Sequence, residues 1–294
     1  MTWMVSIISR GVELCLSDNA DYLLTGIDGI GHAAVARISE RGPMQHGESD
    51  LGYRLQPRHI ALALMARGGD RAAWFVRRAE IMNFLRASDA PVQLRLARGG
   101  WIRQIDCYLS GEMAMAPDNR LAPLWQGVGI ELVAPDPTWY DPAPVTLQFD
   151  GGGGEATTVP TLVPTMVGSS ELSETRQIAY DGSWEAAPVV RVVGPIQGAR
   201  IENTSTGEKL DFAGVTIAAG HWYEIDCRYG RASVIDDAGA NKIADLSADS
   251  NLSTFAIRAH PDVLDGKNAL RVAGTNISAA TLVRLTYHER YVGV

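Results

Sequence analysis

The sequence predicts a mainly β protein with two domains and an α-helix in the first domain. Short segments of alternating apolar and polar residues, the pattern of strands with one buried face, recur along the chain. One segment, residues 70 to about 87, has helical spacing instead. A proline-rich stretch at residues 136–144 separates the two regions, since proline interrupts both helices and central strands. We therefore expect domains at residues 1–137 and 138–294.

The bulk composition is that of a folded globular protein. The chain has 294 residues, of which 46% are hydrophobic and 20% charged, close to ordinary usage. No apolar run is long enough to span a bilayer, so we expect a soluble protein. The net charge of -8 argues against a dedicated nucleic-acid binder, which needs clustered Lys and Arg. The first residues show no signal-peptide pattern, and we expect synthesis in a cytoplasm.

Two hairpins frame the first domain. The first turns at Arg10-Gly11, and the second follows Pro91 and turns at Gly99-Gly100. Two glycines permit the positive φ angles that a tight hairpin demands. The predicted strands are residues 5–7, 12–16, 60–64, 92–96, 101–109 and 129–134.

The helix in the first domain is predicted to begin after Asp70, which is a suitable N-cap residue. Trp74, Ile81 and Leu85 are spaced to share one face, which we interpret as a core face. Three further apolar residues widen this stripe in the prediction, namely Phe75, Met82 and Phe84. A helix this apolar is expected to lie against the surrounding sheet.

The second domain opens with a strand at residues 145–149 and continues with strand patterns about every ten residues, as β-sandwiches do. The four glycines at 151–154 are predicted to form a hairpin tip. A phosphate-binding loop would need a Lys-Ser or Lys-Thr step and a following helix, and Glu155-Ala156-Thr157 supplies neither.

The titratable residues show no pattern of an enzyme or metal site, so we predict no catalytic, cofactor-binding or metal-binding residues. The six histidines lack metal-ligand spacing, and no G-x-S-x-G nucleophile elbow is present. The carboxylates at 236–239 and 245–249 are interpreted as turn-forming residues, since Asp next to Gly favours turns. Cys15, Cys107 and Cys227 are widely spaced and are interpreted as buried thiols.

Aromatic residues of the second half leave a carbohydrate-binding function open. They could stack on sugar rings or fill a core or an interface, and in a β-rich domain the second role is more frequent. The candidates are Trp139, Tyr140, Trp184, Trp222 and Tyr223.

The second half also resembles the C-terminal domain of siphophage distal tail proteins. The resemblance begins with YDGSWEAAPVVRVVGPI at 180–196 and continues in the same order to YHERYVGV at the terminus. The intervening segments are IENTSTGEKLDFAGVTIAAGHWYEIDCRYG at 201–230, NKIADLSADSNLSTFAI at 241–257 and GKNALRVAG at 266–274. The first half is similar to the family less tightly, through the helix and the segments RQIDCYLSGEM and APDPTWYDP.

The resemblance implies a split β-barrel-like hub domain with one α-helix, followed by a galectin-like β-sandwich. It implies self-association into a ring, commonly sixfold, at the distal end of a phage tail, with three copies as the other option. The implied partners are the tail tube protein, the tape-measure protein and the tail-tip hub protein, with DNA passing through the lumen. The polar segment at residues 44–54 is a candidate inter-subunit arm.

Two other function classes remain open at this stage. The second domain could be a carbohydrate-binding module that contacts a host surface glycan. A tail-associated hydrolase ranks last, because the sequence offers no local acid, base or nucleophile signature.

Overall fold

The computed structural model describes residues 3–18, 20–87, 90–115, 125–151 and 171–294. The chain forms two compact units, Met1–Pro142 with Tyr291–Val294, and Ala143–Arg290. The domain boundary expected after residue 137 lies a few residues before this division. The physical reason is Trp139, which is fully buried in the core of the first unit. No helix among the described residues is long and apolar enough to cross a membrane.

The first unit is built on one large antiparallel sheet, with strands in the order β2-β1-β7-β8-β10-β6-β3, β9 beside β10 and β11 beside β8. The sheet does not close on itself in the part of the chain that is described. Strands β4 and β5 pair only with each other, as a separate hairpin. The strands are β1 (Met4–Ser9), β2 (Val12–Cys15), β3 (Tyr22–Asp28), β4 (Val35–Glu40), β5 (Ser49–Leu55), β6 (Arg58–Arg67), β7 (Val92–Arg98), β8 (Trp101–Leu109), β9 (Ala114–Met115), β10 (Trp125–Ala134) and β11 (Trp139–Tyr140).

Local sequence signals account for the hairpins of this sheet. β1 and β2 turn at Arg10-Gly11 as predicted, and β7 and β8 turn at Gly99-Gly100. Both glycines of the second turn have positive φ, 58° and 89°, which residues with a Cβ rarely adopt. The predicted pairing of these strands is therefore confirmed.

The helix α1 spans Arg71–Phe84 and covers the inner face of this sheet. Its N-cap is Asp70, as predicted, and the Asp70 carboxylate accepts a hydrogen bond from the Ala73 amide at 2.7 Å. Ile81 and Leu85 are buried against the sheet. The helix ends slightly earlier than the expected residue 87.

The second unit consists of two five-stranded sheets. One has the order β12-β21-β14-β18-β19, and the other has the order β13-β20-β15-β16 with β17 beside β15. The strands are β12 (Val145–Asp150), β13 (Glu171–Ala179), β14 (Val189–Val193), β15 (Ile196–Asn203), β16 (Glu208–Asp211), β17 (Thr216–Ile217), β18 (Trp222–Asp226), β19 (Ser233–Asp236), β20 (Lys267–Thr275) and β21 (Leu282–Tyr287). The short strand β22 (Arg290–Tyr291) pairs with β11 and so belongs to the sheet of the first unit.

Alternating residues of both sheets meet in one apolar core, as the period of two in the sequence predicts. Phe149 and Val192 come from the first sheet, and Ile201 and Val272 from the second. This arrangement is a β-sandwich. Beside the strands, the described residues include two short 3-10 helices, Ile243–Asp245 and Leu264–Gly266.

A buried amide pair links β15 to β20. Asn203 donates to the side-chain oxygen of Asn268 at 2.9 Å and to the carbonyl of Ala256 at 3.1 Å. Asn268 in turn donates to the carbonyls of Arg258 and Gly266 at 2.8 and 3.0 Å. Both asparagines are fully buried, so these hydrogen bonds are needed to offset the loss of water.

Candidate assembly surfaces

The β4–β5 hairpin, residues 35–55, is a surface element without a hydrophobic core, and we call it the arm. No arm residue belongs to the buried core of the first unit. Polar contacts hold its strands together, since Arg37 pairs with Asp50 at 3.0 Å and lies over the Tyr53 ring. Its exposed apolar side chains are Val35, Ile38, Met44, Leu51 and Tyr53.

Two of these side chains are largely exposed to solvent. Met44 is 93% exposed and Leu51 60%. Exposed large apolar side chains are candidates for contact with another protein. The segment at 44–54 that the sequence suggested as an arm is part of this hairpin, but the hairpin begins earlier, at Val35.

The base of the arm is held by one buried cation, Arg58. Its side chain is almost inaccessible, and its guanidinium donates to the carbonyls of Gly29, Gly31, Pro137 and Val292 at 2.6 to 2.7 Å. Burial lowers the pKa of Arg58 from its ordinary value. The dipoles of these carbonyls compensate the buried charge. Because the carbonyls come from residues 29–31, Pro137 and Val292, Arg58 connects three distant parts of the first unit.

The last residues of the chain reinforce the same region. The Ala33 amide donates to the Val292 carbonyl at 3.2 Å, and the Val294 amide donates to the Ile30 carbonyl at 3.0 Å. A Cβ on Gly293 would approach the backbone of Gly31 to 2.8 Å. The segment Tyr291–Val294 therefore needs glycine at position 293 to pack against the loop that leads into the arm.

The outward face of α1 is a second exposed apolar surface, which we call the helix stripe. Its residues are Ala72, Phe75, Val76, Ala79 and Met82, which recur at helical spacing and are all exposed. Phe75 is 50% exposed and Val76 62%. α1 is thus apolar on both faces, and only one face is covered within the unit.

The helix stripe corrects one sequence prediction. Phe75 and Met82 were expected to widen the buried face, but they point away from it. The two sets of apolar residues lie on opposite sides of the helix, and Trp74, which shares the face of Ile81 and Leu85, is partly buried. The sequence contains two sets of apolar residues at helical spacing, one for each side of the helix, and the prediction treated them as a single face.

The aromatic candidates for sugar stacking are largely occupied. Trp139 is fully buried. Tyr140 donates its hydroxyl to Asp106, Tyr223 donates to Asp245, and the Arg191 guanidinium covers the Trp222 ring at 4.0 Å. Sequence reasoning missed the exposed aromatics, which include Tyr229 at 100% and Trp101 at 63% exposure.

The cysteines are free thiols. Burial raises the pKa of Cys107 and of Cys227 to about 12, with neighbouring aspartates as a smaller cause, so both are protonated and inert near neutral pH. The prediction of buried thiols is confirmed for these two. Cys15 is only partly buried.

The carboxylate groups behave as turn residues. Asp236 accepts hydrogen bonds from the amides of Ala238 and Ala240 at 3.0 and 2.8 Å, as the turn interpretation predicts. Asp249 bonds to Lys209 and to Ser247. Among the described residues, no group of three or more His, Cys, Asp or Glu is placed to hold a metal. The glycines at 152–154 lie outside the described residues, so the hairpin tip stays a prediction.

Comparison with known proteins gives similarity at the level of structure. No family model matches the sequence, and no curated protein is significantly similar to it. The Dit protein (gp 19.1) of phage SPP1, a hub of the adsorption apparatus in phages that infect Gram-positive bacteria, has a TM-score of 0.64 and 14% identity, over 99% of both chains. A chain of the phage P2 baseplate in its activated conformation has a TM-score of 0.54 and 11% identity, over 100% of both chains. The β-rich architecture and these two likenesses show that the chain has the fold of a siphophage distal tail protein.

Proposed function

We propose that this chain is a structural protein of a phage tail tip, and that its first unit assembles copies of the chain into a ring. The observation that carries the proposal is the distribution of exposed apolar side chains. The first unit exposes large apolar side chains on the arm and on the helix stripe, and four more on its sheet, namely Met4, Val12, Trp101 and Ile102. In the second unit, the large apolar side chains that are exposed among the described residues are Tyr229, Ile243 and Leu264.

Ring closure requires two different complementary surfaces on each copy, because a ring is built from head-to-tail contacts. The first unit offers two such surfaces on separate elements. An arm with no core of its own gains a hydrophobic environment when it lies on a neighbour. The rigid attachment at Arg58 would fix its direction and therefore the angle between copies.

The likeness to a phage hub protein and to a baseplate protein supports a structural role in a tail or baseplate. On this proposal the ring lies in the virion, at the distal end of the tail, between the tail tube protein and the tail-tip hub protein. The lumen would admit the tape-measure protein and DNA, and the net charge of -8 would not retain DNA. The second unit would be a galectin-like domain carried by the ring, and no step of this role needs catalysis.

The direct test is the native mass of the full chain, alone and with its tail tube and hub partners. We expect a closed ring, with six or three copies decided by the mass. The double variant Ile38→Asp/Leu51→Asp should remain monomeric, because each substitution places a charge in the apolar contact. A wild-type chain that stays monomeric with both partners present would overturn the proposal.

The second unit supplies a matched control, Ile243→Asp/Leu264→Asp. Ile243 is 47% exposed and Ile38 is 45%, so the two variants alter comparable surfaces. The control should assemble like the wild type. Equal loss of assembly in both variants would show that the effect is a general one of added charge.

A further inference from the structure

The second unit contains a small cavity on the outer face of the sheet β13-β20-β15-β16. Its volume is about 140 Å³, and it is lined by Arg200, Glu202, Arg271 and Ala273. The strand register explains how these residues meet. Arg200 lies opposite Ala273, and Glu202 lies opposite Arg271, on the neighbouring strands β15 and β20. The short side chain of Ala273 leaves the space that the two arginines surround.

The charged side chains of this cavity differ in their ion pairing. The Glu202 carboxylate is paired with Arg200 at 3.0 Å, and Arg200 also approaches Asp211 at 3.9 Å. Arg271 has no carboxylate partner among the described residues, and its guanidinium bonds to the Ser173 hydroxyl at 3.4 Å. The Nε of Arg200 is buried without a hydrogen-bond partner.

These groups present three complementary features to a ligand. The Arg271 guanidinium can bind a carboxylate or phosphate through two parallel hydrogen bonds. The Glu202 carboxylate retains acceptor sites for hydroxyl groups, because an ionised carboxylate can accept about four hydrogen bonds. Ala273 offers a small apolar floor, which suits the C–H face of a sugar ring.

We propose that this cavity binds a single sugar unit that carries a carboxylate or a phosphate group. The anionic group lies on Arg271, the hydroxyls donate to Glu202, and the ring covers Ala273. The cavity is smaller than typical sites for drug-sized ligands, which have roughly 300–1,000 Å³, so it fits one sugar unit of a longer glycan. This inference is independent of ring assembly, since its four residues lie within the second unit.

The full-length protein should be titrated with glucuronate, glucose 6-phosphate and glucose, and binding followed by saturation-transfer NMR of the ligand protons. We expect both anionic sugars to bind, and glucose to bind at least roughly tenfold more weakly, because it lacks the charge-assisted hydrogen bonds. Binding should weaken as salt is added, since Arg271 is exposed. Inorganic phosphate, added as a competitor, should displace glucuronate only at much higher concentration.

Three variants locate the site. Arg271→Gln removes the cation, and Ala273→Gln fills the floor without a change in charge, so both should lower affinity at least roughly tenfold. The matched control is Arg284→Gln, an exposed arginine on the outer face of the other sheet, which should bind like the wild type. An unchanged unfolding temperature in each variant excludes loss of the fold.

Each alternative outcome overturns a named part of the proposal. Equal binding of glucose and glucuronate would remove the role of Arg271. Displacement by phosphate at the same concentration as glucuronate would leave a simple anion site. If Arg271→Gln retains binding, the ligand binds outside this cavity. If Arg284→Gln loses binding to the same extent, the loss does not locate a site in this cavity.

Discussion

The two units use their apolar residues in opposite ways. In the second unit, the strands place their apolar residues in a core between two sheets, with Phe212 and Ile201 fully buried. In the first unit, the sheet also has a core, but the arm and the outward face of α1 leave apolar side chains in water. A surface of this kind lowers the free energy only when it is covered. On the proposed function, the second unit is complete by itself, whereas neighbouring copies cover the exposed apolar surfaces of the first.

The buried polar groups Arg58, in the first unit, and Asn203 with Asn268, in the second, differ in the parts of the chain that they connect. The Asn203–Asn268 pair joins adjacent strands of one sheet inside the sandwich. Arg58 joins a loop, a proline-rich turn and the chain terminus at the base of the arm. The asparagine pair stabilises a core, and Arg58 positions an exposed element.

The largest expected effect is that of Phe212→Ala, which tests whether the second unit is complete by itself. Phe212 is fully buried and packs edge-on against Tyr223, with ring centroids 5.8 Å apart. Removal of a buried phenyl ring should lower the free energy of unfolding by roughly 3–5 kcal/mol. Scanning calorimetry should show one transition moved to lower temperature, while self-association persists.

The exposed Phe75 provides the control for this experiment. Phe75→Ala should leave the free energy of unfolding within about 0.5 kcal/mol of the wild type. If Phe212→Ala lowers every transition together, the two units unfold as one, and the comparison between them fails.

The next largest effect is expected for Arg58→Met at the base of the arm. Methionine fills part of the volume but removes the hydrogen bonds that Arg58 donates to the carbonyls of Gly29, Gly31 and Pro137. We expect a loss of about 3 kcal/mol in the free energy of unfolding, together with faster hydrogen exchange in the arm. Arg54→Met, at an exposed position of the arm, should change neither quantity; an equal response would mean that Arg58 has no special part in holding the arm.

Asn268→Ala should have a smaller effect on the second unit. It removes the acceptor for the Asn203 amide and for the Arg258 backbone amide. Urea denaturation should show a loss of about 2 kcal/mol, since buried groups left without partners carry a desolvation cost. Gln148→Ala, on an exposed position of β12, should be neutral, and a neutral Asn268→Ala would show that water replaces the amide pair.

The smallest effect on stability, and the most informative for function, is expected for Leu51→Ser on the arm. Leu51 is 60% exposed, so the free energy of unfolding of the monomer should change by less than about 0.5 kcal/mol. Assembly should nevertheless weaken, and analytical ultracentrifugation over a concentration series measures this directly. A large loss of monomer stability would indicate that the arm is already covered in the free protein.

Sequence reasoning succeeded where structure depends on neighbouring residues. The Gly99-Gly100 turn follows from the φ angles that glycine permits, and the Asp70 cap follows from the amides at a helix N-terminus. Alternation of apolar residues predicted β1, β2, β6, β7, β8, β10 and β12, because the side chains of a strand alternate between its two faces, but it did not predict β3. The sequence also marked the segment at 44–54 as a candidate arm, although β4 was missed because its apolar residues remain exposed.

The amino-acid sequence by itself determined the two hairpin turns of the first unit, the helix, the strands with one buried face that alternate regularly, and the β-rich class of this protein, since these depend on local backbone preferences and on side-chain period. Only the tertiary structure decided which face of α1 is covered, and that Tyr291–Val294 return to the first unit. It also decided that Arg200 and Arg271 share one cavity. These features depend on contacts between residues far apart in the chain. Such residues are brought together by strand register and packing, which no local sequence pattern encodes.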